Sequence, residues 1–266
     1  MERVDIYAKE NQRYWTQRAP SYSQVNREEL ATDQRQVWSR TLDEGIRGCF
    51  PRRSREEIRV LDVGTGPGFF AILLTELGYA VTAVDYTPAM LAQAEENAGA
   101  LGANISFYTM DAQNLTFPDH TFDVVVSRNL TWNLPQPQRA YAQWVRVLRP
   151  GGMLLNFDAN WYRYLFDPQA QQGHLQDREN VQRLHAADDT AGTDVAAMEA
   201  IARQAPLSAQ RRPAWDLEVL TALGLEAEAD EQVWRQVWTR DEWLNNASTP
   251  MFMVRAVKAA PGEAGT

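Results

Sequence analysis

The chain has 266 residues, 44% of them hydrophobic, a formal net charge of −9 and one cysteine, Cys49. This length allows one large domain with a sizeable core, or a domain plus a cap. The acidic balance without a basic patch argues against a nucleic-acid binder. A lone cysteine excludes a disulfide frame or a thiolate metal cluster, and no metal site is expected. No apolar run approaches a membrane span, and with no leader pattern the default expectation is a cytoplasmic protein, monomeric or homodimeric.

Residues 1–27 set Tyr7, Tyr14, Trp15, Tyr22 and Asn26 among polar residues. Leu30, Val37, Trp38, Leu42 and Ile46 then recur with helical spacing, which predicts an amphipathic helix over 28–50, stopped at Pro51. Arg52, Arg53 and Arg55 are diluted by Glu56 and Glu57 and read as a solvated face. Ile58, Val60, Leu61 and Val63 form a short β-branched apolar run, a buried parallel strand, with Asp62 toward its carboxyl end. Gly64, Gly66 and Gly68 follow at every second position, where glycine permits positive φ and close approach of a ligand. Phe69 to Leu77 is a helix ending before Gly78. Strand, glycine turn and helix make the crevice of a doubly wound α/β sheet.

Phe69 stands where a dinucleotide fingerprint requires a small residue, which disfavours a nicotinamide dehydrogenase, and no Gly-Lys-Ser/Thr makes a P-loop. Ala80 to Asp85 is a second strand, and Asp85 lies where an acid reaches the ribose hydroxyls of a bound nucleoside. Pro88 opens a helix expected over 89–101, with a stop at Gly102. Ile105 to Met110 is a third strand, and Asp111 either contacts ligand or caps a turn. A fourth strand runs over 124–127, a helix over 138–148, a turn over 149–152 and a fifth strand over 153–157. Residues 165–212 are polar, with a short helix over 195–203. A further helix over 215–223 precedes a last strand pair within 225–238 and 251–258. No internal repeat is evident.

The pattern D-x-G-x-G-x-G resembles motif I of the class I S-adenosylmethionine-dependent methyltransferases. Phe117-Pro118-Asp119-His120-Thr121-Phe122-Asp123, the segment Ser127 to Pro135 and the run Arg146 to Leu155 resemble that family's ubiquinone-biosynthesis-like subgroup. One departure is Trp132-Asn133, where many relatives carry a histidine pair. The resemblance implies a seven-stranded, mostly parallel Rossmann-like sheet and S-adenosyl-L-methionine as cofactor. It implies a cofactor site made by Asp62, Gly64, Thr65, Gly66, Gly68, Asp85, Tyr86, Asp111, Ala112 and Asn129. Asp111 would take the adenine amino group, and the next backbone amide a ring nitrogen. Asp62 could instead brace the turn. Tyr14 to Tyr22 resembles the family's N-terminal cap, which would bring Tyr14 to the cofactor.

The expected layout is a helical cap over 1–55, a cofactor core over 56–158, a substrate lid inserted over 159–212, a return to the core over 213–260 and a disordered tail over 261–266. Loops beyond strand ends bind ligands, so Trp15, Tyr22, Trp132, Asn160, Trp161 and Tyr164 are the substrate candidates. Asn129 and Trp132 are candidates to hold the acceptor at the reacting centre, and His174 or His185 is a base or an inert surface group. The leading expectation is methyl transfer to a small molecule. The alternatives are a nucleoside-binding regulator without catalysis, or an RNA or protein methyltransferase. The Asn/Asp-Pro-Pro-aromatic motif of base methyltransferases is missing at Ser127-Arg128-Asn129-Leu130.

Overall fold

The computed structural model describes residues 2–260, so the expected tail over 261–266 lies outside the described residues. Two helices lead the chain, α1 (Glu2–Leu30) and α2 (Gln34–Cys49). The core alternates β1 (Arg59–Val63), α3 (Phe69–Glu76), β2 (Ala80–Asp85), α4 (Pro88–Ala98), β3 (Ile105–Thr109), β4 (Phe122–Arg128), α5 (Pro137–Val147) and β5 (Leu148–Asp158). Then come α6 (Pro168–Arg183), α7 (Val195–Ala202), α8 (Ala214–Ala222), β6 (Leu225–Asp230), α9 (Trp234–Val237), α10 (Arg240–Asn246) and β7 (Phe252–Lys258).

The strands form one seven-stranded sheet in the order β3-β2-β1-β4-β5-β7-β6. β1 to β5 pair in parallel, and β7 runs antiparallel to both β5 and β6. Side chains alternate across the sheet. Val60, Val124 and Val126 enter one core with α2 and α3, while Leu61, Val63 and Val125 enter the other with α5 and α8. Helix α3 is buried from Phe69 through Leu74, which is why it is apolar all round. The strand order reverses between β1 and β4, so their carboxyl ends open the crevice where doubly wound sheets take ligands.

Several boundaries differ from the sequence expectation. The single helix over 28–50 is two elements. α1 runs on to Leu30, and the buried stripe Gln34, Trp38, Leu42 and Ile46 belongs to α2. α4 stops at Ala98 because Gly99 takes φ 52°, and 99–104 tightens into a 3-10 turn. Arg149 to Gly152 is drawn into β5, since Leu148 already pairs with Phe122 before the register shifts. The strand expected over 225–238 ends at Asp230, and Trp234 to Val237 form one helical turn. Among the described residues no helix is long and apolar enough to cross a membrane.

Candidate active site

The turn after β1 passes through Gly64, Gly66 and Gly68 at φ 69°, 53° and 91°. A Cβ at Gly64 would stand 2.6 Å from Leu130 Cδ2, so conformation and space both demand glycine there. Gly68 faces away from the crevice, and a Cβ on it would lie 3.0 Å from Ala94 Cβ of α4. The buried Asp62 accepts a hydrogen bond from Thr65 Oγ1 at 2.6 Å and thereby braces the turn. Burial pushes its carboxyl up to about 7 against the hydrogen bonds from Thr65 and the Ala71 backbone, with the nearby Asp85 charge pushing the same way.

Asp85 ends β2 beside that turn. Its Oδ2 accepts from the Gly66 amide at 3.0 Å and its Oδ1 from the Thr87 amide at 2.8 Å. Burial raises its carboxyl to about 6, and these backbone donors restrain the rise. Two amides leave lone pairs free on both oxygens, which two vicinal hydroxyls could fill. Past β3, Asp111 Oδ1 accepts from the Gln113 amide at 2.8 Å and the Gln113 side chain at 3.0 Å, so the carboxylate caps its own turn while lining the crevice. Gly64, Thr65, Gly66, Tyr86, Ala112 and Asn129 line the same crevice.

α1 roofs it. Ala8, Gln12, Trp15, Tyr22 and Asn26 recur at helical spacing on the lining face. The Tyr7 hydroxyl and Asn11 Nδ2 both donate to the Asn133 carbonyl, at 2.8 and 3.3 Å, and Gln12 Nε2 donates to the Tyr86 carbonyl at 2.9 Å. Farther along, Glu29 pairs with Arg128 at 2.6 Å, and the Arg128 guanidinium lies 4.6 Å from the Trp38 ring and 4.8 Å from that of Phe69. The Tyr22 ring covers Gly66, 3.7 Å from where a Cβ would sit. Of the residues lining the crevice, Asn11 and Asn129 each have an amide Oδ1 buried without a hydrogen-bond partner among the described residues. Orphan acceptors in a crevice floored by carboxylates fit a ligand rich in N–H and O–H donors, such as an adenosine derivative.

Other sequence candidates are placed elsewhere. Tyr14 does not line the crevice; it packs edge-on to Trp15 at 5.4 Å, in a cluster with Tyr7, Trp132, Met198 and Ile201. Trp132 is buried in that cluster, its indole donating to the Asn129 carbonyl at 3.0 Å. The Tyr164 hydroxyl donates to Glu199 at 3.0 Å, and its ring stacks on His174 at 3.9 Å. Burial, and then the Arg178 charge, hold the His174 imidazole below its ordinary value. His185 follows the end of α6 at φ 51° and, like His174, does not line the crevice. Trp161 donates to Asp158 Oδ1 at 3.1 Å, while Asn160 exchanges two hydrogen bonds with the backbone of Arg212.

One buried ion cluster, which sequence reasoning missed, explains these positions. Arg212, with its side chain 1% exposed, bonds Asp158 Oδ2 and Asp216 Oδ1 at 2.7 Å each and Thr131 Oγ1 at 2.7 Å. The Tyr141 hydroxyl donates to Asp216 Oδ1 at 2.5 Å, and Asn156 donates to Thr131 at 2.9 Å. Asp158 also accepts the Trp132 amide at 3.0 Å. The cluster thus clamps both ends of segment 159–212 to the tips of β4 and β5. Asn160 and Trp161 serve that clamp rather than the crevice.

Fold and crevice together define a doubly wound domain with a crevice at its switch point. Residues 61–156 match the methyltransferase domain family. The chain is 41% identical over 96 residues to a phosphatidylethanolamine N-methyltransferase of Cereibacter sphaeroides, covering 35% of this chain and 47% of that protein. It is 37% identical over 139 residues to a demethylmenaquinone methyltransferase of Deinococcus radiodurans, covering 52% and 55%. The chain spans about half the length of these relatives. A solved S-adenosylmethionine-dependent methyltransferase from Mesorhizobium loti superposes with a TM-score of 0.52 at 18% identity, over 80% of this chain and 95% of that one. That likeness bears on the fold.

Proposed function

We propose that the protein transfers a methyl group from S-adenosylmethionine to a small-molecule acceptor. The observation that carries this reading is the placement of Asp85 and Asp111 at the tips of β2 and β3, flanking the glycine turn under a roofing helix. In this arrangement Asp85 accepts the ribose hydroxyls, and Asp111 with the Ala112 amide meets the adenine edge. The turn over 64–68 lies beneath the methionine part. The cofactor supplies an activated methyl on a sulfonium centre, so the protein's own task is to orient the acceptor and exclude water. Positioning of that kind is worth about 7–11 kcal/mol in the best model cases.

Among the described residues no histidine lines the crevice, so the arrangement suits an acceptor that attacks without a histidine base. Arg128, Asn129 and Tyr22 also line the crevice, and in this reading the acceptor arrives beside them. The test is calorimetry with S-adenosylhomocysteine and with NAD, followed by transfer of radiolabelled methyl from S-adenosylmethionine into a fractionated metabolite extract. Binding of the first ligand alone, with label in a small-molecule fraction, is expected. NAD binding without a response to S-adenosylhomocysteine would remove the reading.

A further inference from the structure

We infer that Asn11 reads the base of the nucleoside: its Oδ1 accepts the second hydrogen of the adenine exocyclic amine, opposite Asp111. This rests on the S-adenosylmethionine reading and adds a specificity residue from α1 to it. The Asn133 carbonyl can only accept, so Asn11 Nδ2, 3.3 Å away, is the end that faces it, and the orientation of the amide is fixed. Oδ1 is thereby left buried and without a partner among the described residues, on a side chain that lines the crevice.

A buried acceptor needs a donor, and the ring nitrogens of adenine supply none. The exocyclic amine, the ribose hydroxyls and the ammonium of the methionine part remain, and in this reading the ammonium lies with its chain over the turn 64–68. The ribose end is roofed by Gln12, which is tied to the Tyr86 carbonyl beside Asp85. Asn11 is tied instead to Asn133, whose neighbours Leu134 and Pro135 line the crevice with Ala112 and Gln113. The Gln136 amide donates to Gln113 Oε1 at 2.7 Å and so joins that loop to the turn holding Asp111. Asn11 therefore stands over the base end. An amine offers two hydrogens to two acceptors, whereas a keto oxygen at the same carbon would face both acceptors unpaired.

The experiment measures dissociation constants of S-adenosylhomocysteine and its deaminated form, S-inosylhomocysteine, for wild-type, Asn11→Leu and Tyr7→Phe proteins. Asn11→Leu also gives up the Nδ2 tie to Asn133, so both forms weaken, but the adenosyl form is expected to lose roughly tenfold more than the inosyl form, so that the preference contracts about tenfold. Tyr7→Phe loosens the same Asn133 anchor but keeps Oδ1, and should weaken both forms alike. A preference left intact by Asn11→Leu overturns the inference, as does a loss falling equally on both forms. Failure of the wild-type protein to bind S-adenosylhomocysteine at all is a different result. It removes the functional reading and this inference with it.

Discussion

Asp85 Oδ2 accepts the Gly66 amide at 3.0 Å, so one carboxylate joins the tip of β2 to the glycine turn after β1. In the proposed function the same group takes the ribose hydroxyls. Asp85→Ala should therefore weaken S-adenosylhomocysteine by roughly 10- to 100-fold, because hydrogen bonds to a charged group are worth about 1.5–3 kcal/mol. Calorimetry checks this. An unchanged dissociation constant would count against the ribose assignment.

The same carboxyl sets a pH dependence. Burial lifts it to about 6, and ribose hydroxyls as donors favour its ionised form. Binding should therefore expel a proton near pH 6, and affinity should fall as pH drops through that value. Calorimetry in buffers of different ionisation enthalpy reads the proton directly. An Asp85→Asn protein should bind weakly at every pH, with no inflection there.

Asp62 gives the opposite kind of signature, in stability. Its carboxyl is raised to about 7 by burial, so the folded state holds a proton that the unfolded chain gives up near 4. The sign follows. Its favourable contribution is complete below about pH 4 and is lost as pH rises through 7. Asp62→Asn, which mimics the protonated group, should match wild type below about pH 4 and exceed it in melting temperature by a margin that grows up to about pH 7 and then stays constant. Parallel curves across that range would sink the assignment.

The glycine turn was legible because its signals are local: a β-branched run, three alternating glycines, then a helix with a clear stop. The roof was not. Ala8, Gln12, Trp15, Tyr22 and Asn26 share a face of α1, yet that face looks onto a crevice and is mixed in polarity, so hydrophobic periodicity is silent about it. Testing residues 2–30 for a common helical face, whatever their polarity, would have found it. The Arg212 clamp was hidden for another reason. Its partner Asp158 is distant in sequence, and single charged residues default to the surface. The run Val233 to Val237 reads as strand by composition, but it forms a single helical turn that brings Trp234 within 6.3 Å of Trp238, ring centre to ring centre.

That clamp has a measurable cost of removal. Arg212→Ala strips the counter-charge from Asp158 and Asp216, both with fully buried side chains, and opening such a pair costs about 3–5 kcal/mol. Urea unfolding should show the midpoint fall with the slope retained. A loss below about 1 kcal/mol, the scale of an exposed pair, would show that water relieves the cluster.

The segment 159–212 braces the roof. Met198 and Ile201 of α7 pack with Tyr7 of α1 and with Trp132, and Tyr7 in turn anchors the roof on Asn133. The segment is also held through α6, where Arg178 Nη2 donates to the Asn245 carbonyl at 2.8 Å and Asp177 Oδ2 accepts the Ser248 amide at 2.9 Å. Shortening Ile201 to alanine removes part of the packing behind α1, at a cost on the order of 2–5 kcal/mol if the site does not collapse. The expected result is faster amide exchange along α1 and a several-fold loss of S-adenosylhomocysteine affinity, with exchange in β1 and β4 unchanged. Exchange raised only within α7, at full affinity, would mean that the segment and the roof are energetically separate.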